Sequence, residues 1–138
     1  MKLVRIAFCV VFGLAGLSLA SCDKVMYAPQ YQQGTISHVV VITLKNHGSE
    51  ADRKTIIDAS RELRKIRGVY DVEVGTVLPS SRPIVVSDFD VALVVIFRDE
   101  ASMQAYVTDP RHVKLQKEVL EPLVAPNGIK VYDFVNHE

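Results

Sequence analysis

Cysteine is scarce in this chain of 138 residues: there are two, Cys9 and Cys22. Both fall within the first 22 positions, so the rest holds no thiol for a disulfide, a metal or a nucleophile. An excess of either charge is missing too, because Lys+Arg and Asp+Glu stand at 16 each. That balance gives no basic surplus to draw the protein to nucleic-acid phosphates. The low hydrophobicity of disordered chains is absent, with 49% apolar and 23% charged residues. There is no internal repeat and no low-complexity block. A membrane-spanning run is lacking as well: the uncharged stretch 6–20 (IAFCVVFGLAGLSLA) falls short of the roughly 20 residues a spanning helix needs. The length suits one domain and not two.

What the N-terminus does have is the layout of an address signal. Lys2 and Arg5 form a short basic region, and the stretch 6–20 fits a secretory signal. Leu19-Ala20-Ser21-Cys22 then resembles the bacterial lipoprotein lipobox, in which the cysteine is lipidated and becomes the first mature residue. An ordinary secretory signal with a chance cysteine is the alternative. Asp23 and Lys24 end the run early, against a spanning anchor. The lipobox implies acyl chains on Cys22, each buried CH₂ adding about 0.8 kcal/mol of membrane affinity. The protein is then anchored outside the cytoplasm, in the cell envelope, without spanning the membrane. Asp23 directly after the cysteine resembles an inner-membrane retention signal of double-membraned bacteria. The expected organisation is a signal at 1–21, a lipidated tether at 22–36, a domain at 37–135 and a tail at 136–138. Cleavage leaves 117 residues and removes Lys2 and Arg5, so 14 basic groups face 16 acidic ones, a formal balance of −2.

The domain reads as alternating elements. His38 to Leu44 (HVVVITL) is a β-branched run of strand length. Ser49 and Asp52 make a helix start resembling a capping box, and over 51–66 apolar residues recur at helical spacing, at Ile56, Ala59, Leu63 and Ile66. Gly68 supplies the stop. A second strand spans 69–78, with Val72, Val74 and Thr76 on one face, followed by a loop at 79–83. Phe89 to Phe97 (FDVALVVIF) is a third strand. Asp99 caps a helix to about Val107, and Asp109-Pro110 starts another, which Pro122 limits. Asn127-Gly128 predicts a turn before a last strand at 129–135. The order β-α-β-β-α-α-β predicts an α+β, ferredoxin-like fold with helices on one face of an antiparallel sheet.

Two strands are apolar on both faces. In the third, Phe89, Val91, Leu93, Val95 and Phe97 oppose Ala92, Val94 and Ile96; in the first, Val40, Ile42 and Leu44 oppose Val39, Val41 and Thr43. A sheet with helices on one side normally shows water a polar second face. A second copy closing a barrel across a two-fold axis would cover this one, which predicts a homodimer.

The segments HVVVITLK at 38–45, RGVYDVEVG at 67–75, DFDVALVVIF at 88–97, AYVTDPRH at 105–112 and VYDF at 131–134 resemble the stress-responsive α/β-barrel (Dabb) domain. The resemblance spans about 37–135 and implies a dimeric α+β barrel. Its most specific part is Tyr-x-x-x-Pro-x-His, here Tyr106, Pro110 and His112. One plant branch of that family is a polyketide cyclase performing an intramolecular aldol closure. The resemblance implies His112 as general base, Tyr106 as its orienting partner and His38 lining the pocket. An imidazole can take a proton alpha to a carbonyl, and a phenol can hold the resulting enolate oxygen.

Blander readings stand beside these. His112 lies at helical spacing with Leu115, Val119 and Leu123, and so can simply satisfy a backbone carbonyl or a carboxylate such as Asp90. His38 can be structural. His47, before a helix, and His137, in the tail, are expected at the surface. Arg61, Arg64, Lys65 and Arg67 alternate with Asp58 and Glu62 as a solvated helix face. The four histidines are scattered, which implies no metal, and there is no phosphate loop or other cofactor motif. Three functions remain open: a tethered, dimeric binder of an apolar small molecule or stress-related accessory protein; a cyclase or lyase using His112 and Tyr106; and a structural or partner-docking lipoprotein.

Overall fold

The computed structural model describes residues 32–137. The signal segment, Cys22 and the tether as far as residue 31 lie outside the described residues. The elements are β1 (Ile36–Leu44), α1 (Glu50–Ser60) running into a tight turn at Arg61–Lys65, β2 (Val69–Thr76), β3 (Val91–Phe97), α2 (Glu100–Val107), α3 (Pro110–Leu115) and β4 (Val124–Val135). From Leu115 the third helix widens into a π turn at Gln116–Leu120 and ends with Glu121–Leu123. The sheet order is β2-β3-β1-β4, with every pair antiparallel. This is the expected ferredoxin-like α+β arrangement.

Register decides which side chains meet. Ile42 pairs with Val91, Val40 with Leu93 and His38 with Val95, so these six share one face. Val72 and Val74 join it from β2, opposite Val95 and Leu93. Helices α1 to α3 cover that face, and Ile56, Leu63, Val72, Val91, Val95 and Phe97 are fully buried there. The other face carries Val39, Val41, Val94, Tyr132 and Phe134, with Tyr132 and Phe134 more than half exposed.

The boundaries shift for physical reasons. The helix expected over 51–66 tightens after Ser60; three-residue spacing then brings both Leu63 and Ile66 inward, and Ile66 N–H donates to the Leu63 carbonyl at 3.0 Å. The turn expected at Asn127-Gly128 lies inside β4 as an irregularity. Pairing jumps from Ile42–Ile129 to Leu44–Val124, and Asn127 takes up the slack at φ 58°. Pro122 falls within the last helical turn, just beyond the π turn. β1 starts at Ile36, two residues before the expected run. Next to it Asn136 clasps the chain, its backbone N–H donating to Thr35 O at 2.8 Å and its amide to Thr35 Oγ1 at 2.9 Å. Among the described residues no helix is long and apolar enough to cross a membrane.

Candidate functional site

His38 is the third residue of β1 and points to the helix-covered face with Val40 and Ile42. Across the β1–β4 register its partner is Asp133, and the pair is joined from His38 Nδ1 to Asp133 Oδ1 at 2.6 Å. Tyr106 sits in the last turn of α2, whose start is capped by Asp99 accepting from the Ser102 N–H at 2.7 Å. The Tyr106 ring is buried edge-on against Phe97, with centroids 4.9 Å apart. His112 lies in the first turn of α3, where Asp109 is the N-cap and Pro110 begins the helix. That turn brings the imidazole to 4.2 Å from the Tyr106 ring, centroid to centroid, while His38 is 6.0 Å from the same ring.

The three residues singled out by sequence therefore surround one point, and a cavity of about 380 Å³ opens there. Its wall is largely apolar, including Val40, Leu93, Met103, Leu115, Leu120 and Ile129. Polar groups enter at few places: His38, Tyr106, His112, Asp133 and Ser60, with Gln104 and Gln116 nearer solvent. A mostly apolar cleft of this size with a few convergent polar groups is the usual form of a small-molecule site.

The electrostatics follow from burial. His112 Nδ1 donates to the Val107 carbonyl at 3.1 Å, leaving Nε2 as an acceptor in the neutral ring. Burial lowers its pKa below the ordinary histidine value; the Val107 carbonyl and Asp109 oppose that shift without cancelling it, and His38 adds to it. Burial raises the Tyr106 phenol well above its ordinary value, so it stays protonated and able to donate.

Two residues of this site were not singled out by sequence. Asp133 belongs to the VYDF segment, but only strand register reveals that it faces His38. Ser60 follows Ile56 by four residues, a spacing that marks an inward position. Its hydroxyl is buried and has no hydrogen-bond partner among the described residues, an arrangement that costs about 1–3 kcal/mol when left unmet.

Asp90 is not at this site and does not meet His112. Its fully buried carboxylate instead accepts from Leu44 N–H (2.9 Å), Gly48 N–H (2.8 Å), Arg53 Nη2 (2.8 Å) and His47 Nδ1 (2.8 Å). Burial pushes its pKa up, but these hydrogen bonds together hold it far below the ordinary carboxylate range. This cluster ties the β1–α1 loop to β3. His47 and His137 are both exposed, His47 while still bound to Asp90. Arg61 and Lys65 make exposed ion pairs with Asp58 and Glu62, which contribute little to stability. Among the described residues no three His, Cys, Asp or Glu side chains group to hold a metal.

Comparison with known proteins gives a consistent picture. The family model described as the stress responsive A/B barrel domain, Dabb, matches residues 36–136. A Dabb family protein of ferredoxin-like fold from Mesorhizobium loti is 30% identical; the match covers 77% of this chain and 100% of that one, with TM-score 0.60. The hydroxynitrile lyase of Passiflora edulis is 20% identical over 78% of this chain and 97% of its own, with TM-score 0.64. A dimeric ferredoxin-like protein of unknown function from Thermobifida fusca is 18% identical over 79% and 97%, with TM-score 0.62. These last two likenesses are of fold. No curated protein matches. With the family model spanning the whole folded region and the Tyr106–Pro110–His112 segment inside it, this chain belongs to the stress-responsive A/B barrel (Dabb) family.

Proposed function

We propose that the protein binds a small, largely apolar molecule bearing a carbonyl group in the cavity beneath α2 and α3, as a stress-related accessory protein. The observation that carries this reading is the meeting of Tyr106, His112 and the His38–Asp133 pair at one apolar cavity of about 380 Å³. A protonated phenol donates to a carbonyl oxygen, and the surrounding aliphatic wall favours an apolar body. We extend the proposal to assembly and location. A homodimer is supported by the apolar open face at Val39, Val41, Val94, Tyr132 and Phe134 and by the dimeric Thermobifida relative. Attachment to a membrane of the cell envelope through lipid on Cys22, with Asp23 favouring the inner membrane, rests on the lipobox-like sequence.

A second reading, catalysis, is favoured by the neutral state of His112 beside a phenol that stays protonated. In that reading His112 removes a proton alpha to the carbonyl, and Tyr106 donates a hydrogen bond to the enolate oxygen. The enolate carbon attacks a second carbonyl of the same molecule, and the proton returns from His112 to the new alkoxide. The Passiflora relative, a lyase, supports the capacity of such a fold for enzyme chemistry.

Native mass spectrometry of the purified protein tests the first reading. The expected result is a retained small molecule, or uptake of an added aryl ketone, weakened in Tyr106→Phe and His112→Ala. Retention unchanged in both variants removes the pair from the binding site. Turnover of a diketone lost in His112→Ala, with binding kept, selects the catalytic reading.

A further inference from the structure

Hydroxyls inside helices ordinarily find a partner. Thr55, one turn before the end of α1, donates back to the Ala51 carbonyl at 2.9 Å. Ser102, buried in α2, donates to Asp99 at 2.6 Å. Ser60 does neither. The residue is 1% exposed, its oxygen is buried with no partner among the described residues, and Ser60 is the only residue of α1 among those lining the cavity. The cavity wall is largely apolar, Leu93, Met103 and Leu115 included. The other polar groups come from β1, β4, α2 and α3.

We propose that Ser60 is a specificity-determining contact: it hydrogen-bonds a second polar group on the ligand, other than the carbonyl held by Tyr106. The ligand class is then a bifunctional one, an apolar ring or short chain with a carbonyl at one end and a hydroxyl or second carbonyl at the other. This rests on the cavity being a ligand site. A site that holds a buried hydroxyl for a partner discriminates against analogues lacking the matching group, since the hydroxyl is then left unpaired.

The test titrates the full protein with acetophenone and its three ring-hydroxylated isomers, by calorimetry, in wild type and Ser60→Ala. The expected result is that one isomer binds wild type roughly five- to tenfold tighter than acetophenone, the range of one neutral hydrogen bond. In Ser60→Ala that preference disappears while acetophenone binds as before. Thermal melting accompanies the titration, and Ser60→Ala is expected to melt at or above wild type because an unmet hydroxyl is removed. A preference that survives Ser60→Ala, or no preference for any isomer while acetophenone binds and depends on Tyr106, overturns the role of Ser60 and leaves the cavity reading intact. No binding of any ketone to wild type overturns the cavity reading and this inference with it.

Discussion

Tyr106 packs its ring in the core against Phe97 and also lines the cavity, so a single atom, its hydroxyl oxygen, separates its packing role from its proposed chemical one. Tyr106→Phe is expected to keep the contact with Phe97 and melt within a few degrees of wild type, yet bind an aryl ketone about tenfold more weakly, as loss of one hydrogen bond does. His112 gives a pH signature. Its folded pKa is lowered, so the unfolded chain takes up protons first as pH falls; the contribution is full above about 6.5 and is lost as pH drops through the folded value. Melting measured from pH 7.5 to pH 5 is expected to fall, and to fall less in His112→Gln. The residues of this site were unevenly legible. Tyr106, Pro110 and His112 lie within seven positions and carry a family pattern, and His38 opens a strand within another matched segment. Asp133 lies 95 residues from His38, and only the β1–β4 register pairs them. Ser60 hid because nothing in the sequence marks a serine inside the expected helix as unpartnered, and its isolation depends on what surrounds it.

At the scale of elements, strand identity was legible because β-branched runs leave few alternatives, and the caps at Ser49, Asp99 and Asp109 are local chemistry that the structure repeats. What sequence periodicity missed was long-range: the tightened end of α1 answers to the core, and the irregularity in β4 answers to its pairing with β1. Gly68 shows how strictly that first junction is set. It has φ +91°, and a Cβ there would lie 2.5 Å from Ser102 Cβ, so Gly68→Ala meets both backbone strain and a clash with α2. Gly75→Ala, with nothing within 4 Å, is the control. Chemical denaturation is expected to show Gly68→Ala destabilised by more than about 2 kcal/mol and Gly75→Ala by less than about 1. The buried Asp90 cluster joins three elements, and removing its carboxylate strands Arg53 and two backbone donors. Asp90→Ala is expected to cost about 3–5 kcal/mol, read by the same denaturation. Asp99, whose bonds from the Ser102 hydroxyl and N–H hold its pKa at about 2, keeps capping α2 until pH falls below the ordinary carboxylate value, and loses that contribution between there and about 2.

The whole molecule divides its work between the two faces of one sheet. The helix-covered face holds the cavity, and the open face, apolar at Val39, Val41 and Val94, is the surface on which the proposed second copy would pack. Light scattering of wild type is expected to give twice the protomer mass, and Tyr132→Glu with Val41→Lys to give the single mass while keeping ligand binding. A monomeric wild type contradicts the dimer. Upstream, Cys22→Ser is expected to release the protein from the membrane fraction and abolish its lipid mass; unchanged membrane association of that variant contradicts the lipid anchor. The cavity is the centre of the account, and an NMR titration of the purified protein with acetophenone reaches it most directly. The expected result is saturable shifts in the ring signals of His38, Tyr106 and His112, abolished by Val131→Trp, a plug at a half-exposed position of the cavity wall. Ring signals that stay fixed at millimolar ketone, or shifts that persist behind the plug, would contradict it.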